Sequence, residues 1–259
     1  MQKTNSLIAS ILILATFVAV TLVGNSCRNS KQKMETEKTI NVKEVSFSNS
    51  QPAIAEVDSM FNNENIEFHP IDVVNWEGYN YNPQVHFRIA YSTDEIYLQY
   101  RVKESCVKAV YGEDEGSSPY KDSCVEFFCV PDPEHGAYYN LELNCIAKGT
   151  FAGGRVRTER THYGDDILSQ IRRASTLDSE AFGVKESDGE PFEYTITIAL
   201  PVKLFTLSEI KPLKGRTIKA NFYKCGDDMP QPHYFSWNPI KTEKPNFHKP
   251  EFFGNIHFE

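Results

Sequence analysis

Tyr138-Tyr139-Asn140-Leu141-Glu142-Leu143-Asn144-Cys145-Ile146 alternates between apolar and polar side chains from Tyr139 onward. A period of two belongs to a β-strand, whose successive side chains point to opposite faces. Tyr139, Leu141, Leu143 and Cys145 therefore share one face, and Asn140, Glu142 and Asn144 share the other. A helix would scatter both sets, so the stretch predicts a strand with one buried face. Upstream, Ser123 to Val130 sorts in the same way, with Val125, Phe127 and Cys129 opposite Cys124, Glu126 and Phe128. Further strands are expected at Val85–Ile89, Glu95–Val102, Phe192–Leu200, Thr217–Lys224 and Phe253–Phe258. Turn signals such as Pro131-Asp132-Pro133, Asp188-Gly189 and Lys214-Gly215 separate them. Helical spacing is confined to Ile54, Val57, Met60 and Phe61 after Pro52, and to a short stretch from Asp166 to Arg173. No internal repeat and no alternation of strands with helices occurs. The expectation is an all-β protein, an antiparallel β-sandwich with a few short helices, forming one domain over residues 46–259.

Composition agrees with a soluble globular domain of this kind: 40% of the 259 residues are hydrophobic and 24% charged. The 17 Phe and 13 Tyr favour β structure. A net charge of −8 without a long basic run argues against nucleic acid as a partner, since phosphate backbones need a cationic surface. At the N-terminus, Lys3 precedes an uncharged run from Leu7 to Gly24. Such a run can span a bilayer. The sequence Gly24-Asn25-Ser26-Cys27 that follows instead resembles a bacterial lipoprotein signal. That resemblance implies a signal peptide over residues 1–26, lipidation at Cys27 and an exported protein. A lipid anchor would hold it to the outer membrane or cell envelope. Residues 27–45 are polar, with Lys31, Lys33 and Lys38, and read as a flexible tether. Setting Cys27 aside leaves five of the 6 cysteines, an odd number that cannot all pair within one chain.

Glu126 interrupts an apolar strand, and an unpaired buried carboxylate is costly. Its face is either an ordinary solvated sheet surface or a concave polar face. In the second case Glu126, Glu142 and Asn144 lie beneath a hydroxyl-rich ligand, which carboxylates and amides suit through paired acceptors and donors. Tyr120-Lys121-Asp122-Ser123-Cys124-Val125-Glu126-Phe127-Phe128 resembles the aromatic–Asp–x–x–Val–Glu signature of carbohydrate-binding module family 9. Asn221–Asp227, His233–Pro239 and Phe247–Gly254 are similar to a Bacteroidota branch of single-domain lipoproteins in that family. The resemblance implies a sugar gripped between two rings, with Tyr120 and Trp237 at the ring positions. Glu126 falls at the hydroxyl-binding acid and Asn144 at an amide on the next strand, while Glu142 stands where a basic residue is common.

The function so implied is non-catalytic binding of a glycan or oligosaccharide in polysaccharide capture, alongside envelope glycan-processing proteins. No cofactor is required, although Asp165-Asp166 or Asp227-Asp228 would suit calcium. Two other classes stay open. Glu126 and Glu142 could serve a glycoside hydrolase as paired carboxyl groups. Met229 with His233 could ligate haem in an electron-transfer sandwich.

Overall fold

In a computed structural model the described residues are 37–114, 116–209 and 211–259. The proposed signal, Cys27 and most of the tether lie outside them. The strands are β1 (Thr39–Glu44), β2 (His69–Pro70), β3 (Val73–Val74), β4 (Gln84–Tyr91), β5 (Glu95–Glu104), β6 (Cys106–Ala109), β7 (Cys124–Val130) and β8 (Tyr138–Asn144). They continue as β9 (Gly149–Val156), β10 (Glu159–His162), β11 (Arg172–Ser175), β12 (Phe182–Glu186), β13 (Phe192–Pro201), β14 (Thr217–Gly226), β15 (His233–Ser236) and β16 (Gly254–Phe258). The helices are α1 (Ile54–Asn63) and the single-turn α2 (Asp165–Leu168).

The main path of hydrogen-bonded neighbours runs β10-β9-β8-β7-β14-β16-β1-β4-β5-β13-β11. Every ladder along it is antiparallel except the two made by β1, so the sheet is mixed. Thr39–Val42 runs parallel to β16, and Lys43–Glu44 runs parallel to β4. β1 thus passes from one half of the path to the other and forms the corner about which the sheet curls. The two inner faces meet where Phe87 of β4 stacks on Phe222 of β14, with centroids 3.5 Å apart. Nearby, the Tyr100 hydroxyl of β5 donates to the Glu126 carbonyl of β7 at 2.8 Å. The result is a curled sandwich, mostly β with few short helices.

The alternation that predicts β7 and β8 also sorts their faces. Val125, Phe127, Cys129, Tyr139, Leu141, Leu143 and Cys145 all enter the main core. In α1, Val57, Met60 and Phe61 pack against Ala90, Tyr97 and Ala199. Two boundaries differ from expectation. The tether ends before residue 45, because Ile40 and Val42 are buried and their strand completes both ladders. The helix expected over Asp166–Arg173 stops at Leu168, because residues from Arg172 pair with β13. There Arg172 forks onto Glu95 at 2.7 and 2.8 Å, a bidentate contact that favours the extended path.

Candidate functional site

The outward side chains of β7, β8, β9, β10 and β14 floor a cavity of about 370 Å³. Loops carrying Tyr120 and Phe247 form its rim. Tyr120, 38% exposed, sits on the tight turn Pro119–Lys121. That turn is held from both ends. Fully buried Asp122 accepts from the Tyr111 amide and from Asn144 Nδ2, each at 3.1 Å, and the Asp227 amide donates to the Tyr120 carbonyl at 2.9 Å.

Glu126 of β7 and Glu142 of β8 stand opposite one another in register. Both are buried, yet both line the cavity. Glu126 Oε1 accepts from the Cys225 thiol at 3.0 Å, and Glu142 Oε1 accepts from Asn140 Nδ2 at 2.8 Å. Burial pushes the Glu126 carboxyl well above the ordinary range, and Cys225 and Glu142 add to the effect. Burial raises Glu142 as well, opposed by Arg160 and Asn140. Two desolvated carboxyl groups facing each other cannot both ionise cheaply, which favours a proton held by the pair. It then offers an O–H donor beside carboxylate acceptors, which is what a sugar hydroxyl needs.

An aromatic wall stands at one end. Tyr234 meets Tyr79 edge-on at 4.8 Å and Trp76 at 6.2 Å. Phe247 stacks on Tyr223 at 4.1 Å. Asp227 lies beside them, pushed up to about 6 by burial and by Asp228. A basic wall of Arg157, Arg160, His162 and His248 adjoins the aromatic one. Arg160 Nη1 donates to Asn140 Oδ1 at 2.6 Å and to His248 Nδ1 at 2.9 Å. Burial and the charge of Arg160 hold the His248 imidazole down to about 3, so it is a neutral acceptor. Gly154 of β9 makes room for this arrangement, because a Cβ there would lie 2.9 Å from Arg160 Cγ.

Residues 55–258 match the model of carbohydrate-binding family 9. The chain belongs to that family. A Bacteroides uniformis ATCC 8492 protein of known crystal structure, provisionally described as carbohydrate-binding, is 40% identical, with a TM-score of 0.81. The match covers 86% of this chain and 100% of that one. A family 9 module from Caldicellulosiruptor kristjanssonii, solved with glucose, is 15% identical, with a TM-score of 0.52 over 86% of this chain and 96% of its own. The same organism's module with cellotriose is 16% identical, with a TM-score of 0.52 over 86% and 94%. These two show the fold alone. None of the curated proteins compared with the chain matches it.

Within this family 9 domain the expected site residues part company. Tyr120, Glu126 and Glu142 come together at the cavity. Asn144 does not: its Nδ2 goes to the Tyr111 carbonyl and Asp122, and its Oδ1 receives the Ile146 and Lys148 amides. Those bonds fix the β8–β9 turn and the Tyr120 loop, which corrects the assignment of Asn144 to the ligand. Trp237 is corrected too. It is 2% exposed, packed edge-on against Phe87 and Phe222 in the core and pressed close to Gly254. Tyr234, Phe247, Asn140, Arg160 and His248 were not singled out as ligand contacts by the sequence; the block His233–Pro239 held a usable ring, but at Tyr234.

Other chemistries meet occupied residues. Both His233 nitrogens have protein partners, the Gln231 carbonyl at 2.9 Å and Lys224 Nζ at 2.8 Å, and the Met229 sulfur faces the Ser123 hydroxyl. That leaves no ring nitrogen free for haem iron. Cys124, Glu126 and Cys225 bring ligand atoms within 4.8 Å of one another. Burial raises all three, Cys124 to about 12, so the thiols stay protonated and serve as donors to Glu126. Asp165-Asp166 and Asp227-Asp228 join no three-ligand cluster among the described residues. Asp228 instead faces Lys121 at 3.6 Å. The five described cysteines are free thiols.

Proposed function

We propose that the protein is a non-catalytic, lipid-anchored glycan-binding protein of the bacterial envelope. It holds one sugar unit against Tyr120 and Tyr234 while Glu126 and Glu142 bond its hydroxyls. The observation that carries this reading is the cavity itself, where exposed Tyr120 and half-buried Tyr234 stand with a carboxyl pair able to donate and accept. Membership of a carbohydrate-binding family supports the ligand class. Lys3, the uncharged Leu7–Gly24 run and Cys27 support export and the anchor.

Calorimetric titration with oligosaccharides chosen from a glycan array tests the reading. Tyr120→Ala and Tyr234→Ala should each weaken binding by about 2 kcal/mol, as truncated aromatic anchors do. Absence of binding to plant, host and bacterial glycans alike would refute it. The opposed carboxyl groups also favour one second reading, hydrolysis. Release of reducing sugar by clean protein, abolished in Glu126→Gln, would replace binding with catalysis.

A further inference from the structure

Arg160 has hydrogen-bonding capacity that the described residues leave partly unused. Its guanidinium makes no ion pair among the described residues. Nη1 is spent on two neutral acceptors, Asn140 and His248. Nε is buried without a hydrogen-bond partner among the described residues. The Nε–Nη2 edge is the side of a guanidinium that grips a carboxylate with two parallel hydrogen bonds. Arg157 and His162 line the same wall, and Arg157 is near enough to bias His248, Glu142 and Asp227.

Glu142 is linked to Arg160 through Asn140, and the Arg160 charge opposes the rise of its carboxyl. Counting across the sheet from β10, Glu142 is on the second strand along, Glu126 on the third, and Asp227 follows β14, the fourth. Arg157, Arg160 and His162 enter the cavity from the β9–β10 hairpin, and the carboxyl groups enter from β8, β7 and the end of β14.

We infer that the glycan is acidic and that a uronate carboxylate docks on the Nε–Nη2 edge of Arg160. This rests on the sugar-binding reading above. A guanidinium fork can hold either a carboxylate or a tetrahedral oxyanion with two hydrogen bonds, so a sulfate ester is the anion to be told apart from the uronate. Gly154 leaves room for the Arg160 stem to cross β9, since a Cβ there would lie 2.9 Å from Arg160 Cγ.

The test uses matched sugars, titrated calorimetrically into the purified protein at low salt. The pairs are glucuronate with glucose, galacturonate with galactose, and mannuronate with mannose. Glucose 6-sulfate is the tetrahedral anion. In the series that binds best, the uronate should bind at least about tenfold more tightly than its neutral partner, and the ratio should shrink as salt is added. Arg160→Gln should bring the ratio within about twofold. Arg160→Lys, keeping charge but losing the fork, should restore only part of it. Equal affinity for uronate and neutral sugar in every series would overturn the inference and leave sugar binding standing. Preference for the sulfate would overturn the carboxylate assignment. No binding in any series would overturn both readings.

Discussion

His248 accepts a hydrogen bond from Arg160 because its own protonation would bury a second positive charge beside the first. Its folded value of about 3 lies below the ordinary 6.5, so the unfolded chain takes up this proton first as pH falls. The stabilising contribution is complete above about pH 6.5 and is lost progressively towards pH 3. His248→Gln, which keeps a neutral acceptor, should flatten that acid limb by on the order of 2–4 kcal/mol in denaturant melts taken across the window. Glu126 and Glu142 act in the opposite sense, since raised carboxyl values favour the fold at lower pH. The difference between wild type and variant isolates the imidazole. Trp237 makes a second residue-scale case. Being packed in the core, Trp237→Ala should cost roughly 3–5 kcal/mol of stability, whereas Tyr120→Ala should change the urea midpoint little. A stable Trp237→Ala protein would show that the ring is not a packing residue.

The β9–β10 hairpin positions the basic wall, and its glycines decide where that wall stands. A methyl group at Gly154 would lie 2.7 Å from the Glu159 carbonyl oxygen, a backbone atom that cannot swing aside. Gly154→Ala should therefore cost about 1–3 kcal/mol and displace Arg160 from Asn140 and His248. With that guanidinium withdrawn, the His248 imidazole should titrate at a higher pH, which NMR can follow; an unchanged value would mean that Arg160 had kept its place. This same hairpin was hard to read beforehand. Gly149-Thr150-Phe151-Ala152-Gly153-Gly154 carries too few large side chains to show a period of two, and Glu159–His162 is polar throughout. The long strands β4, β5, β7, β8, β13 and β14 were legible because each buries one face in the core. Tyr120, Glu126 and Glu142 were legible for a related reason, a local motif on or beside such strands. Tyr234 and Phe247 reach the cavity through the packing of distant segments, which alternation within one strand cannot reveal, and Arg160 reaches it on the hairpin that lacks a readable period. Trp237 misled because a lone aromatic in a block of aromatics gives no local sign of which side of the sheet it enters.

At the scale of the whole molecule, two sheet halves share β1. Removing residues through Glu44 should strip Ile40 and Val42 from the core and leave β16 and β4 without their common neighbour. Burial of two aliphatic side chains is worth roughly 3–6 kcal/mol, so a chain starting at Val45 should lose its cooperative thermal transition; an unaltered melt would make β1 dispensable. The anchor is tested separately. Cys27→Ala should leave an uncleaved or soluble form where the wild type fractionates with membranes, and equal retention of both would point to a spanning helix. The corner strand also has a mechanical meaning. β1 runs parallel to both β16 and β4, so tension at its N-terminal end draws it along its own axis. Its ladder hydrogen bonds then share the load in shear instead of opening one after another. A protein moored at its N-terminus and pulled by a glycan in the cavity would resist extension most strongly just before this strand slides free.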